Sequence, residues 1–180
     1  MAMTEQGPAS ARSFPADEFA DVMAANAQFA TGFEGLGLSG RAAKGLAVIT
    51  CMDSRINPLP ILGMAAGDVK ILRNAGARVT DDVLRTLVLA CYLLDVNRVL
   101  VMPHTRCAMA SKAEEDIHAQ IGAEYGVDTY SIEFATVVDQ QAALRRDIRR
   151  IRSFPLLPRD LVVAGAIYDV DTGRLDAQDA

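Results

Sequence analysis

The chain has 180 residues, of which 51% are hydrophobic and 23% are charged, as is ordinary for a soluble globular protein. Its length fits one domain and is sufficient to bury a sizeable core. The formal net charge of -5 argues against a nucleic-acid partner. No apolar run approaches the ~20 residues needed to span a bilayer, so no membrane partner is expected.

The amino terminus and the cysteines indicate the cellular compartment. Residues 1–12 lack the apolar stretch of a signal peptide. The chain has 3 cysteines, Cys51, Cys91 and Cys107, and such a sparse, odd count is more typical of a reducing compartment than of a disulfide scaffold. The cytoplasm is therefore the expected location. Cys91 lies in an apolar helical stretch, where we expect it to act as a small buried hydrophobe.

The amino-terminal region is predicted to contain one helix. Residues 1–15 are predicted to be disordered, and residues 16–180 are predicted to form a single domain. The first helix is predicted from Pro15 to about Ala30, and segment 31–44, which is rich in glycine, is predicted to be a loop. The helix carries an apolar stripe at helical spacing, formed by Phe19, Val22, Met23 and Phe29.

The rest of the chain alternates between strand and helix patterns. Strands are predicted at 45–51, 69–73, 98–103 and 161–168, and helices at 80–95, 108–124 and 136–152. Thr80 is a suitable N-cap for the second helix, and two aspartates in its first turn suit the helix dipole. This alternation predicts an α/β fold with a mainly parallel central sheet flanked by helices. Ligands of such sheets collect beyond the carboxyl ends of the strands.

Two groups of potential metal ligands stand at predicted strand ends. Cys51 closes the first strand, and His104 and Cys107 follow the strand that ends at 103. Two thiolates and one imidazole would give Zn²⁺ three protein ligands and leave the fourth position for water, as in a catalytic site. Each group alone is a weak signal, but together they predict one zinc ion per chain. The alternative is two buried cysteines and a hydrogen-bonded core histidine.

Asp53 and Arg55 follow Cys51 closely and are the candidate catalytic pair. Asp53 is positioned to orient a water molecule at the metal. A free carboxylate so near Zn²⁺ could itself bind the metal, and Arg55 can prevent this through a bidentate pair with Asp53. The alternative is an ordinary ion pair in a surface turn.

Three further features carry weaker predictions. The arginine run on the last helix is expected to be a solvated or interface face. His118 is expected to be a surface residue, because no second histidine lies at metal-binding spacing. Gly76 either brings the backbone close to the site or forms a simple turn.

Several segments of the chain together match the pattern of one known family. They are Cys51-Met52-Asp53-Ser54-Arg55, Gly67-Asp68, Arg73-Asn74-Ala75-Gly76, Thr80-Asp81-Asp82, His104-Thr105-x-Cys107 and Tyr168-Asp169-Val170-x-Thr172-Gly173-Arg174-Leu175. Through them the chain resembles the β-class carbonic anhydrases from about residue 16 to residue 175. The resemblance implies a small α/β domain whose sheet is extended by oligomerisation. It also implies an N-terminal helix packing on a partner subunit, hence a homodimer or higher homo-oligomer with its active site near the dimer interface.

The resemblance also implies a reaction, the reversible hydration of CO₂ to bicarbonate and a proton by a zinc-bound hydroxide. It assigns Cys51, His104 and Cys107 as zinc ligands, and Asp53 and Arg55 as the catalytic pair. The ligands do not discriminate CO₂ from carbonyl sulfide or carbon disulfide, so a hydrolase of those substrates is an alternative. A zinc-binding family member with little turnover is another.

Two residues depart from the family pattern, which usually reads His-Thr-Asp-Cys-Gly after this strand. Here Arg106 and Ala108 replace the Asp and the Gly. Arg106 changes the local charge by two units, and a cation at the start of the following helix is disfavoured by ~0.3–1 kcal/mol. Neither change removes a zinc ligand or the Asp–Arg pair. We therefore expect Arg106→Asp with Ala108→Gly to gain little CO₂ hydration.

Overall fold

The computed structural model describes residues 14–179, and the chain divides into two units between Gly37 and Leu38. The first unit contains helix α1, Ala20–Thr31, which confirms the predicted helix although it begins later than Pro15. All members of the predicted apolar stripe are exposed. The disorder predicted for residues 1–15 falls almost wholly outside the described residues.

The second unit is built on a sheet whose order is β2-β1-β3-β4-β5 within the described residues. The first four strands in the chain pair in parallel, and β5 pairs antiparallel with β4. The predicted mainly parallel sheet is thereby confirmed, whereas β5 was not predicted. The strands are β1 Leu46–Cys51, β2 Val69–Asn74, β3 Arg98–Met102, β4 Val162–Tyr168 and β5 Leu175–Gln178.

Strand β1 is central and is buried along its whole length. A parallel strand covered on both faces is apolar at successive positions, as Leu46-Ala47-Val48-Ile49 is here. The only hydroxyl in β1, on Thr50, is satisfied because it donates to the carbonyl of Met102 at 2.8 Å. The carboxyl ends of β1 and β3 are therefore neighbours.

Four helices accompany this sheet in the second unit's described residues: α2 Pro58–Ile61, α3 Asp81–Leu93, α4 Glu114–Tyr125 and α5 Gln140–Arg152. Thr80 caps α3 as predicted, since its hydroxyl accepts from the backbone N–H of Val83. Short 3₁₀ turns occupy Ala75–Ala77 and Ala108–Ala110. None of the helices in residues 14–179 is long and apolar enough to cross a membrane.

The prediction of a helix at 108–124 is wrong for the residues before Glu114. Residues 108–110 form a 3₁₀ turn, and the α-helix begins only at Glu114. Arg106 therefore does not stand at the start of an α-helix, and the dipole penalty expected for its charge does not apply.

The prediction that His118 lies at the surface is also wrong. His118 is buried, and its Nδ1 lies 2.8 Å from the hydroxyl of Thr129. Its ring stacks on Tyr130 with centroids 4.6 Å apart and packs against Phe134 at 4.9 Å. The irregular segment after α4 thus folds back over the helix and covers this histidine.

The arginine run on α5 contributes to packing between elements. Arg150 donates to the carbonyl of Val79 at 2.8 Å, and Arg152 donates to the carbonyl of Val163 at 2.7 Å. These bonds tie α5 to the start of α3 and to β4. Cys91 is partly buried and packs against the core, close to its predicted role.

Candidate metal centre

The three predicted ligands meet at the carboxyl edge of the sheet. Thr50 of β1 is in register with Met102 of β3, which places Cys51 beside the segment that carries His104 and Cys107. One potential ligand atom from each of the three residues lies within 4.8 Å of the others, and all three residues are buried. This is the sole such group that the described residues contain. Its geometry suits one metal ion.

The imidazole of His104 is fully buried and has one nitrogen without a partner. Its Nδ1 lies 2.8 Å from the carbonyl oxygen of Thr105. A carbonyl can only accept, so Nδ1 carries the proton and Nε2 keeps its lone pair. Burial lowers the pKa of His104, which favours this neutral form. A buried unpartnered nitrogen costs about 1–3 kcal/mol, and a metal ion at Nε2 would remove that cost.

The two thiols are spaced for a shared ion. The sulfurs of Cys51 and Cys107 lie 4.0 Å apart, and both cysteines are free. Two sulfurs bound to one tetrahedral zinc at ~2.3 Å would lie about 3.8 Å apart. Burial and the neighbouring Cys51 raise the pKa of the Cys107 thiol, an effect that a bound cation reverses. The residues present therefore fit a zinc ion.

Asp53 and Arg55 form the predicted bidentate pair beside the ligands. Arg55 donates from Nε to Oδ1 at 2.9 Å and from Nη2 to Oδ2 at 2.7 Å, and its backbone N–H also reaches Oδ1 at 2.9 Å. These bonds hold the pKa of the Asp53 carboxyl well below its usual range. Asp53 Oδ2 lies 3.8 Å from His104 Nε2. The carboxylate is thus next to the metal position but is engaged by Arg55.

Two residues that support the site were not identified from the sequence. Arg73 donates from Nε to the carbonyl of Cys51 at 2.9 Å and from Nη2 to the carbonyl of Asp53 at 2.7 Å. Gln140, at the start of α5, donates to the carbonyl of His104 at 2.8 Å. Arg73 did lie in a family-like segment, whereas nothing in the sequence pointed to Gln140.

Gly76 makes the close approach that was one of its two predicted roles. Its φ is +78°, and a Cβ added there would lie 3.2 Å from the Cβ of Met109. Met109 follows Cys107 by two residues. The turn after β2 is therefore packed directly against the segment that carries a ligand.

Comparisons with known proteins agree with this fold. A family model described as carbonic anhydrase matches residues 46–175. Beta-carbonic anhydrase 1 of Mycobacterium tuberculosis is 34% identical over 157 residues, which cover 87% of this chain and 94% of that protein. A carbon disulfide hydrolase of Acidithiobacillus thiooxidans is 29% identical over 165 residues, covering 78% of this chain and 76% of the hydrolase.

Similarity to a solved structure extends over nearly the whole chain. The crystal structure of carbonic anhydrase from Streptococcus mutans has a TM-score of 0.85 and 35% identity, and the match covers 93% of this chain and 100% of that one. The sheet and the Cys–His–Cys group define an α/β protein with a donor set that could hold a metal ion. The chain belongs to the β-class carbonic anhydrase family.

Proposed function

We propose that this protein catalyses the reversible hydration of CO₂ to bicarbonate and a proton, with one zinc ion held by Cys51, His104 and Cys107. The observation that carries the proposal is the buried, unpartnered Nε2 of His104 beside two free thiols, in a chain of this family. Bound zinc supplies Lewis acidity that lowers the pKa of a water molecule toward ~7.

The Asp53–Arg55 pair would orient the attacking water. A carboxylate that stays ionised can accept a hydrogen bond from the water and direct its lone pair at the carbon of CO₂. Arg55 fixes the carboxylate through two parallel hydrogen bonds and keeps it from binding the metal. Arg73 holds the backbone on which both Cys51 and Asp53 are carried.

The surroundings of the ligands suit a small apolar substrate. The two thiols belong to a buried cluster with Ile56, Ala77 and Met102. Such walls exclude bulk water and offer no hydrogen bond that a larger polar substrate would need. They suit CO₂, and equally suit its sulfur analogues.

Hydrolysis of carbon disulfide or carbonyl sulfide is the second candidate, because the Acidithiobacillus thiooxidans relative is named a carbon disulfide hydrolase. Stopped-flow CO₂ hydration should be measured on protein of known zinc content, with sulfide release from both sulfur substrates assayed in parallel. We expect rapid CO₂ hydration and little sulfide. Sulfide release without CO₂ hydration would establish the hydrolase. Full zinc with neither reaction would identify a zinc-binding family member with little turnover.

We also propose that the protein assembles as a homodimer or a higher homo-oligomer through the N-terminal helix. The residues Phe19, Val22, Met23 and Phe29 are 45%, 55%, 53% and 64% exposed, respectively. An exposed apolar stripe of this kind marks an interaction surface, and a partner subunit would cover it.

A reducing compartment such as the cytoplasm suits the proposed metal site. Cys51 and Cys107 must both be reduced to act as thiolate ligands, and their sulfurs are only 4.0 Å apart. Under oxidising conditions so close a pair risks a disulfide in place of the metal site.

A further inference from the structure

Arg106 has an unusual backbone conformation in the middle of the ligand segment. Its φ is +54°, in the left-handed region that glycine, asparagine and aspartate tolerate better than a long side chain. Arg106 immediately precedes Cys107 and follows His104 by two residues. Some interaction must therefore hold the backbone in this conformation.

The side chain of Arg106 is anchored to the turn that follows β4. Its Nη2 lies 2.8 Å from Oδ2 of Asp171. Asp171 in turn donates its backbone N–H to Oδ1 of Asp169 at 2.9 Å, and the same Oδ1 accepts from the hydroxyl of Thr105 at 3.1 Å. The ligand segment and this turn are thus joined at two successive residues, 105 and 106.

The carbonyl of Arg106 points at the catalytic pair. It accepts a hydrogen bond from Arg55 Nη2 at 3.2 Å, and that same nitrogen donates to Asp53 Oδ2 at 2.7 Å. Arg55 therefore spans the carboxylate of Asp53 and the backbone of the ligand segment. Any rotation of the Arg106 peptide would remove one of the two groups that orient this nitrogen.

We propose that Arg106 is a positioning residue, whose ion pair with Asp171 holds its own carbonyl against Arg55 and so fixes the Asp53–Arg55 pair. This inference rests on the proposed CO₂ hydration. The family usually has Asp at this position, and an aspartate here would face Asp171 with like charge. Arg106 and Asp171 therefore act together in this chain.

Stability alone does not explain the pair. The side chains of Arg106 and Asp171 are 69% and 47% exposed, and exposed ion pairs contribute little to folding. A purely structural pair would change neither kcat nor the state of Arg55 when it is broken. The proposed role changes both and leaves the melting temperature nearly constant.

The test compares Arg106→Gln, Asp171→Asn and the charge swap Arg106→Asp with Asp171→Arg. We expect each single variant to keep its zinc and to lower kcat for CO₂ hydration roughly three- to tenfold, less than the ~10²-fold that a 1 Å misplacement can cost. Arg106→Asp alone should be at least as impaired. The charge swap should recover most of the lost kcat.

The ion pair between Arg41 and Asp95 provides a matched control. Its side chains are 61% and 54% exposed, its N–O distance is 2.7 Å, and Asp95 also has a positive φ of +61°. The pair lies beside the amino ends of β1 and β3, whereas the metal centre lies beyond the carboxyl ends of these strands. Arg41→Gln should leave kcat unchanged.

A second readout reports the geometry without activity. In the zinc-loaded wild type, the Nε–H of Arg55 should give a protected resonance in ¹⁵N NMR because it donates to Asp53. Its exchange with solvent should quicken in Arg106→Gln and Asp171→Asn and slow again in the charge swap. Unchanged exchange in both single variants would overturn the proposal. An inactive wild type with the expected exchange pattern would instead reject CO₂ hydration and leave the positioning role established.

Discussion

Zinc ligation by the two buried thiols can be separated from simple cysteine burial by serine substitution. Cys51→Ser and Cys107→Ser each replace a thiolate with a hydroxyl that does not ionise at neutral pH, so each variant should lose most of its zinc. Zinc per chain is measured on purified protein. Cys91→Ser is the control and should retain full zinc, because Cys91 packs against the core away from the ligands. Full occupancy in both ligand variants would refute the assignment.

The role of Asp53 is tested by Asp53→Ala. The variant should keep its zinc, because Asp53 lies outside the three-residue donor group. CO₂ hydration should fall by ~10²–10⁴-fold, as expected when one positioned catalytic group is lost. Stopped-flow rates between pH 7 and pH 9 provide the measurement. Near-normal turnover across this range would show that the pair with Arg55 is only structural.

The meeting of Cys51 with the segment that carries His104 and Cys107 could be predicted from the sequence, because the parallel sheet leaves these residues little freedom. Once β1 and β3 are neighbours, Cys51 and the 104–107 segment must share one edge. The supporting roles of Arg73 and Gln140 were not predicted. Both side chains donate to backbone carbonyls, and contacts of this kind cannot be inferred from the spacing of residue types in the sequence. His118 was misjudged, because its aromatic neighbours lie in an irregular segment whose path the sequence does not reveal.

At the scale of elements, α5 is joined to the turn after β2 by a buried ion pair. Arg78 donates to Asp147 from Nε at 2.7 Å and from Nη2 at 3.2 Å, and a further bond reaches the carbonyl of Ala135 at 2.7 Å. Both side chains are largely buried. Removing one partner of such a pair leaves an uncompensated charge in the protein interior.

Asp147→Ala should therefore lower the free energy of unfolding by about 3 kcal/mol. This value is at the low end of the range for buried ion pairs that lose one partner, because Arg78 keeps its hydrogen bond to the carbonyl of Ala135. Chemical denaturation measures the change. Arg85→Ala, which breaks the exposed pair with Asp82, is the control and should cost well under ~1 kcal/mol. Equal costs for the two variants would contradict the burial argument.

The elements with strong periodicity were predicted well, and those made by tertiary pairing were missed. The apolar strands β1 to β4 agree with the sequence pattern to within a residue or two. Strand β5, Leu175–Gln178, was not predicted because Leu-Asp-Ala-Gln has no β-branched residue. It exists because β4 offers it an edge to pair with. The neighbouring carboxyl ends of β1 and β3 were therefore predictable, and the pairing of the edge strand β5 was not.

At the scale of the whole molecule, the apolar residues of the two units differ in how far they are buried. The second unit buries the apolar residues of β1, α3 and α5 in a continuous core. None of the residues of α1 is buried, although its apolar residues have helical spacing. A helix of 12 residues is marginal in water without packing of its apolar face. The proposed partner subunit would supply that packing.

The triple variant Phe19→Ser, Val22→Ser and Phe29→Ser tests this assembly without shortening the chain. Because the stripe is the proposed contact surface, the molar mass from size-exclusion chromatography with light scattering should fall toward that of a monomer. The thermal transition should also lose its dependence on protein concentration. Asn26→Ser with Gln28→Ser, exposed polar positions on the same helix, is the matched control and should keep the wild-type mass. A triple variant of unchanged mass would place the subunit contact on another surface.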